Sequence, residues 1–365
     1  MSSAQSTAPE GSGPVGSVVV GPAADNLLIG DSQQLVALVK DGKGRPLRGR
    51  EISWASLNPE AATVSPTGVV SGNAPGPARI VATSEGQSGT AVITVWPTRN
   101  DAAECDAPKP GWIWCDDFEK DRLTSYFEYG ALDGDFVRLP GVGYSGSHGM
   151  RARFSRVRQV QAGFLHLAIG RTPAPYFRPV DAGTERYREI YWRHLVKFQV
   201  GWIGGGGSKM SRAQVLVNTD RAQAMMAHVW SGGPEGSPNY LGLVPASATD
   251  ESGQVLGKEY NDFAHFRWLG EVVGRTPIFD TTHVGKWYCI EAHAKLNEPG
   301  RSNGVLELWI NGALEARMDG LNWQGAYTEY GINTVFLENY WNDGSPQPQE
   351  RYFDNFVVST QRIGC

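Results

Sequence analysis

The sequence is short of charge, of cysteine and of long apolar runs, and each shortage excludes something. No stretch of about 18 apolar residues occurs, so no helix of the chain is expected to span a membrane. Only four cysteines are present, Cys105, Cys115, Cys289 and Cys365. None forms a CxxC pair or a Cys/His spacing, which removes the usual structural zinc modules. No D-x-D-x-D-G-like loop supports a dedicated calcium site. Long amphipathic helical periods are scarce, which argues against helix bundles and doubly wound α/β folds. No secretory leader begins at Met1; the opening MSSAQSTAPEGSGPVG reads as an exposed linker of the kind left once a leader is removed.

What the chain does have is glycine, proline and tryptophan, with 45, 22 and 12 of them in 365 residues. Short runs rich in Val, Ile, Tyr, Phe and Trp recur between turn residues, which predicts an all-β protein. The length allows two domains. Net charge is −5 overall but unevenly spread: residues 151–230 hold 13 Lys and Arg against 4 Asp and Glu. A basic band within an acidic protein suggests an anionic ligand met locally, not a nucleic-acid coat. Arginines that merely decorate solvated strand faces would give the same count.

Taken in order, residues 1–16 are Ser/Gly/Pro/Ala-rich and are expected to be a disordered linker. Residues 17–97 carry six to seven short strand-like runs, the spacing of a small sandwich. Within them stand W-x-S at Trp54–Ser56, A-x-V-S-x-x-G-x-V at Ala62–Val70 and a closing A-x-I-T-V. These residues resemble bacterial immunoglobulin-like domains of group 2. The resemblance implies a spacer or adhesion module of a secreted or surface protein, and hence possible attachment at a bacterial cell surface. Residues 98–111 read as a linker, and 105–365 as a second domain of ten to fourteen strands, too large for an immunoglobulin fold.

The stretch 186–230 reads as strand, glycine loop, strand, turn, strand. In the first strand Tyr191, Arg193, Leu195 and Lys197 share one face, and Trp192, His194, Val196 and Phe198 the other. The loop Gly204–Ser208 then runs into Lys209.

Around this stretch lie an opening D-F-E strand, G-x-W-x-x-x-E-x-x-x-x-L-N at Gly285–Asn297, L-x-L-W-I-N-G at Leu306–Gly312 and a closing F-D-N-F at Phe353–Phe356. In this order they resemble the concanavalin A-like jelly roll, and within it polysaccharide lyases of the alginate and glucuronan type. The resemblance implies β-elimination on an anionic, uronic-acid-containing polysaccharide by a secreted or cell-surface protein. Such a reaction needs a cation or amide for the C6 carboxylate, a base for the C5 proton and a donor for the leaving oxygen. It needs no cofactor, although a structural calcium ion is compatible with such a sandwich.

Carried onto this chain, the resemblance makes Lys209 the lysine of the G-G-K loop and places Tyr240 near the first of a tyrosine pair, with Gly242 at the second position. His228 is the candidate base where that tyrosine is missing. Arg193, Lys197, Arg212, Gln223 and Trp230 are the candidate substrate-binding residues, with Arg193, Arg212, His228 and Tyr240 expected to converge on one concave face. His166, His194 and His293 are expected to be structural. A non-catalytic carbohydrate-binding module is the alternative function. A glycoside hydrolase ranks lower, since no paired-carboxylate strand signature is present.

Four cysteines, even in number and confined to the larger part, predict two disulfides and an oxidising compartment. Three pairings are open. The strands 112–119 and 351–359 have matching lengths and alternating aromatic faces, and are expected to be neighbours, which would bring Cys105 towards Cys365.

Overall fold

The computed structural model describes residues 13–74, 76–96, 101–204, 208–231, 239–280 and 282–365. The expected linker at 1–16 lies mostly outside these residues, and its last two residues open the first strand, Val15–Gly21. The chain divides into two compact units, 1–99 and 100–365.

The first unit is a small sandwich. A four-stranded sheet (Ala24–Leu28, Gln87–Trp96, Gly76–Ser84, Ser53–Ser56) faces shorter strands, and Val20, Leu35, Val39, Val70, Ala78, Ile80 and Ile93 share its core. The sequence motif at 62–70 has a steric basis in Gly68. Its φ is +83°, and a Cβ there would lie 2.9 Å from both the Leu35 carbonyl and the Trp54 ring, so only glycine fits the turn.

The second unit is a two-sheet, all-antiparallel jelly-roll sandwich. One sheet runs in the order Phe136–Leu139, Gly149–Phe154, Gln349–Ser359, Glu189–Phe198, Trp287–Lys295, Gly304–Ile310, Ala313–Leu321. The other runs Glu128–Gly130, Gln161–Ala168, Thr334–Tyr340, Ser208–Leu216, Gln223–Ser231, Leu241–Ser247, Arg267–Trp268. Their inner faces interlock through Phe154, Trp192, Val196, Phe198, Met210, Val215, Leu337 and Phe353, all fully buried. Alternation along each strand accounts for this, since one face must fill the space between sheets while the other is left for solvent or a ligand.

The terminal strands are neighbours as expected: Trp112–Asp116 pairs antiparallel with Gln349–Ser359, Trp112 opposite Ser359. The disulfides, however, are Cys105–Cys115 and Cys289–Cys365. Strand adjacency places Cys115 beside Val357, leaving Cys105 to fold back on Cys115 through a short 3-10 turn, Asp101–Asp106. The last residues instead run to the Trp287–Lys295 strand, where Glu291 accepts from the Ile363 and Gly364 amides. The second half of the expected 98–111 linker therefore belongs to the second unit.

Candidate functional site

The three predicted strands of the central stretch form as Glu189–Phe198, Ser208–Leu216 and Gln223–Ser231, but the first lies in one sheet while the other two pair in the other. The segment after Phe198 carries the chain from one sheet to the other. Arg193 and Lys197 therefore lie on the sheet opposite the other candidates, on its outer face. Arg193 is fully buried there against Glu104 and the Gly364 carbonyl. The Lys197 ammonium stands 5.1 and 5.0 Å from the Trp287 and Tyr352 ring centres. Neither can meet His228, which corrects the expected convergence.

The outer face of the second sheet holds a cleft of about 600 Å³. Its walls and floor include Lys209, Trp230, Glu338, Tyr340, His166, Glu128 and Arg221, with Tyr260, Phe263 and Trp268 from the segment that leads into the sheet's last short strand. Lys209 and Trp230 are cross-strand partners. Trp230, half-buried, lines this cleft, whereas Trp192 belongs to the core.

Lys209 is 6% exposed, with its ammonium 4.8 Å from the Tyr340 ring centre and 5.6 Å from those of Trp230 and Phe263. It makes no ion pair among the described residues. Aromatic faces stabilise a cation less than a carboxylate does. Burial first, and the nearby Arg212 charge second, accordingly bring its pKa down to about 8.

Arg212 lies in the floor, 1% exposed, paired with Glu338 at 2.7 Å and bonded to Asn261 and the Tyr260 hydroxyl. Gln223 is buried and holds the same loop: its carbonyl accepts from the Asn261 amide at 3.0 Å. Both candidates act on the cleft's covering loop rather than on its open surface.

His228 shares this face but is completely buried. Its Nδ1 donates to the Val244 carbonyl at 3.0 Å, and Trp230 and Trp268 pack on the ring. Burial, with Arg212 and Lys209 adding to it, holds its pKa well below the usual value. It is a neutral support beneath the cleft and does not touch its opening, so the expected base role is not what the geometry offers. Tyr240 precedes the Leu241–Ser247 strand and is not among the residues lining the cleft.

Three residues that sequence reasoning assigned elsewhere or passed over occupy the site. Tyr340 lines the cleft beside Lys209, and Tyr260 closes it over Arg212, its hydroxyl pushed up to about 12 by burial. His166, expected to be structural, stacks between Phe164 and Phe336 and lines the cleft. Its Nδ1 lies 2.9 Å from Glu128 Oε2. A carboxylate only accepts, so Nδ1 carries the proton and Nε2 keeps a free lone pair. Burial would raise Glu128, but hydrogen bonds from His166 and Tyr176 and the Arg221 charge hold it at about 2. The alternation of FLENY over Phe336, Glu338 and Tyr340, and of FLHLA around His166, carried this signal. What it could not supply was which strands lie side by side.

Arg351 supports the cleft from the other sheet. It is fully buried, and donates to Asn339 Oδ1 at 2.6 Å and to the carbonyls of Lys209 and Glu338 at 2.7 and 2.5 Å. The Ser208–Leu216 and Thr334–Tyr340 strands pair in register only from Ser211 opposite Leu337 onward, so these carbonyls are left for the guanidinium. Among the described residues no group of three or more His, Cys, Asp or Glu side chains is placed to hold a metal ion.

The site and fold can be set beside known proteins. Residues 14–95 match the bacterial Ig-like domain of group 2. No curated protein matches the chain. The second unit is similar in structure to an endo-β-1,4-glucuronan lyase from the fungus Trichoderma reesei (11% identity, TM-score 0.45, 68% of this chain and 96% of that one). It is also similar to an alginate lyase from Chlorella virus (13%, 0.48, 68% and 100%) and to one from Aplysia kurodai (11%, 0.46, 68% and 99%). These likenesses concern the fold, and the function is argued from the site's own residues.

Proposed function

We propose that this chain is a polysaccharide lyase that cleaves a uronic-acid-containing polymer by β-elimination, and that the cleft on the second sheet is its active site. The observation that carries this reading is Lys209: a buried ammonium with aromatic neighbours and no carboxylate partner among the described residues. A cation held this way is costly unless an anion joins it. A uronate carboxylate supplies that anion and becomes more electron-withdrawing once paired, which acidifies the C5 proton.

His166 Nε2 takes the proton. Glu128 fixes the tautomer and stabilises the imidazolium that forms, the role a carboxylate plays behind a catalytic histidine. His166 lies two strands from Lys209 and three residues along, since Phe336 stands opposite both His166 and Arg212; at ordinary strand spacing the backbones are about 14 Å apart, a gap one sugar ring and two side chains can bridge. Tyr340 donates to the departing glycosidic oxygen. Arg212, Gln223 and His228 hold the floor and its covering loop, and Trp230 supplies a wall.

Two disulfides and the Ig-like unit support export to an oxidising compartment, with that unit as a spacer or surface attachment. The test is incubation with a panel of anionic polysaccharides, followed by ultraviolet detection of the unsaturated uronate. Product from at least one polymer, lost in Lys209→Ala, is expected. Retention of a polymer without any product would instead make this a binding module.

A further inference from the structure

The cleft and its floor hold three permanently or readily charged cations, Lys209, Arg212 and Arg221, and two carboxylates, Glu128 and Glu338. Two of the cations are already matched. Arg212 pairs with Glu338 at 2.7 Å, and Arg221 pairs with Glu128 at 2.8 Å. Arg212 is further committed to Asn261, Tyr260 and the Met226 sulfur. His166 is tied to Glu128 through Nδ1. Lys209 is thus the one cation of the cleft without a carboxylate partner among the described residues. Between 204 and 208 and between 231 and 239 the sequence adds no lysine or arginine, only Glu235.

The lining otherwise combines aromatic rings with the amide side chains of Gln161, Asn261, Asn339 and Asn342. Phe263 and Trp268 are 46% and 44% exposed, unusual for such large side chains, and their rings lie nearly parallel, 15° apart. Flat aromatic faces suit the C–H face of an uncharged pyranose. A polymer with a carboxylate on each successive sugar would set further anions against these rings and against Glu128 and Glu338. It would then have to break the Arg212–Glu338 or Arg221–Glu128 pair to neutralise them, stranding a carboxylate.

We infer that the substrate is a heteropolysaccharide in which the reactive uronate is flanked by uncharged sugars, and not a homopolyuronate or a densely sulfated chain. This rests on the reading of the cleft as a uronate site. Lys209 takes the single carboxylate, and the Phe263–Trp268 platform takes a neutral neighbour.

The full chain should be assayed on deacylated gellan, whose uronate has neutral neighbours, and on polymannuronate, polyguluronate, polyglucuronate and heparin. Initial rates and affinity electrophoresis should be run in parallel. At least tenfold higher kcat/KM on gellan than on any homopolyuronate is expected, with a weak dependence on salt. Trp268→Ala should lower that kcat/KM at least fivefold. Asn342→Lys, which adds a cation at an exposed position of the lining, should raise homopolyuronate turnover relative to gellan. Equal or better turnover of a homopolyuronate by the unmodified protein overturns the inference and leaves the lyase reading standing. If no polymer yields product, the lyase reading fails, and binding decides: tighter retention on gellan, lost in Lys209→Ala, upholds the inference, and equal or tighter retention on homopolyuronates or heparin overturns it.

Discussion

The Arg351 guanidinium donates to the Lys209 carbonyl at 2.7 Å, reaching from one sheet through the sandwich core to the other. The same nitrogen serves the Glu338 carbonyl. Two of the cleft's charged residues, Lys209 and Glu338, therefore have their backbones held by one side chain that never touches the cleft surface. Burial brings the Arg351 pKa down to about 9, with the Glu338 charge opposing the shift.

Removing that guanidinium should disturb both stability and the site. Arg351→Met leaves two buried carbonyls and the Asn339 oxygen without a donor, at about 1–3 kcal/mol for each unsatisfied group, offset in part by the relief of a buried charge. A net loss of about 2 kcal/mol in urea unfolding is expected. Arg351→Lys keeps the charge but not the fork, and should recover turnover less well than stability. Unchanged turnover in Arg351→Met would show that the cleft does not depend on this brace.

The pH profile should carry the mark of Lys209. Its ammonium must be protonated to pair with a carboxylate, and burial together with Arg212 places that titration at about 8. Turnover should therefore fall as pH rises through about 8. In Lys209→Arg the cation does not titrate in this range, so the alkaline limb should disappear even where the maximal rate is lower. An alkaline limb that persists unaltered in this variant assigns it to another group.

His166 should govern the chemical step. His166→Ala is expected to lower kcat by about 10²–10⁴-fold with a smaller change in KM, since proton transfer is lost and the carboxylate contact is not. Burial depresses the His166 pKa, so the neutral base persists into mildly acidic solution. Removing the neighbouring negative charge in Glu128→Gln disfavours the imidazolium further. The acid limb should then move to lower pH while kcat falls. A shift in the opposite direction would separate Glu128 from His166.

The two disulfides should differ in weight. Cys289–Cys365 closes 76 residues and Cys105–Cys115 only 10. Loop-closure entropy assigns them about 4 and about 3 kcal/mol respectively. Denaturant unfolding of Cys289→Ser/Cys365→Ser and of Cys105→Ser/Cys115→Ser should show the larger loss for the first. Unreduced, unfolded protein should titrate no free thiol.

Much of the fold was legible because strand periodicity is a local property. The runs around 186–230 and the terminal pair 112–116 and 349–359 appear where alternation places them. Lys209 and Trp230 were legible too, since each stands on the outer face of its own strand. Arg193 and Lys197 were placed wrongly for a reason that alternation cannot register. Period two says which residues share a face of one strand but not which sheet that strand joins. Tyr340, His166 and Glu128 were missed because they come from strands far apart in sequence, which meet only through the order of the sheet.

What the sequence determined by itself was the β-class, the two-unit division and the Ig-like segment. Each depends on neighbours within a few residues, on side-chain alternation, turn chemistry and composition. Only the tertiary structure decided which charges remain available. Thirteen basic residues in 151–230 suggest a broad cationic surface, yet Arg193, Arg212 and Arg221 are each matched to Glu104, Glu338 and Glu128. Those partners stand 89, 126 and 93 positions away. The net charge of a segment counts residues, whereas the field in a cleft depends on which opposite charges the fold brings within a few ångströms, and among the described residues Lys209 is the cation of this cleft left over.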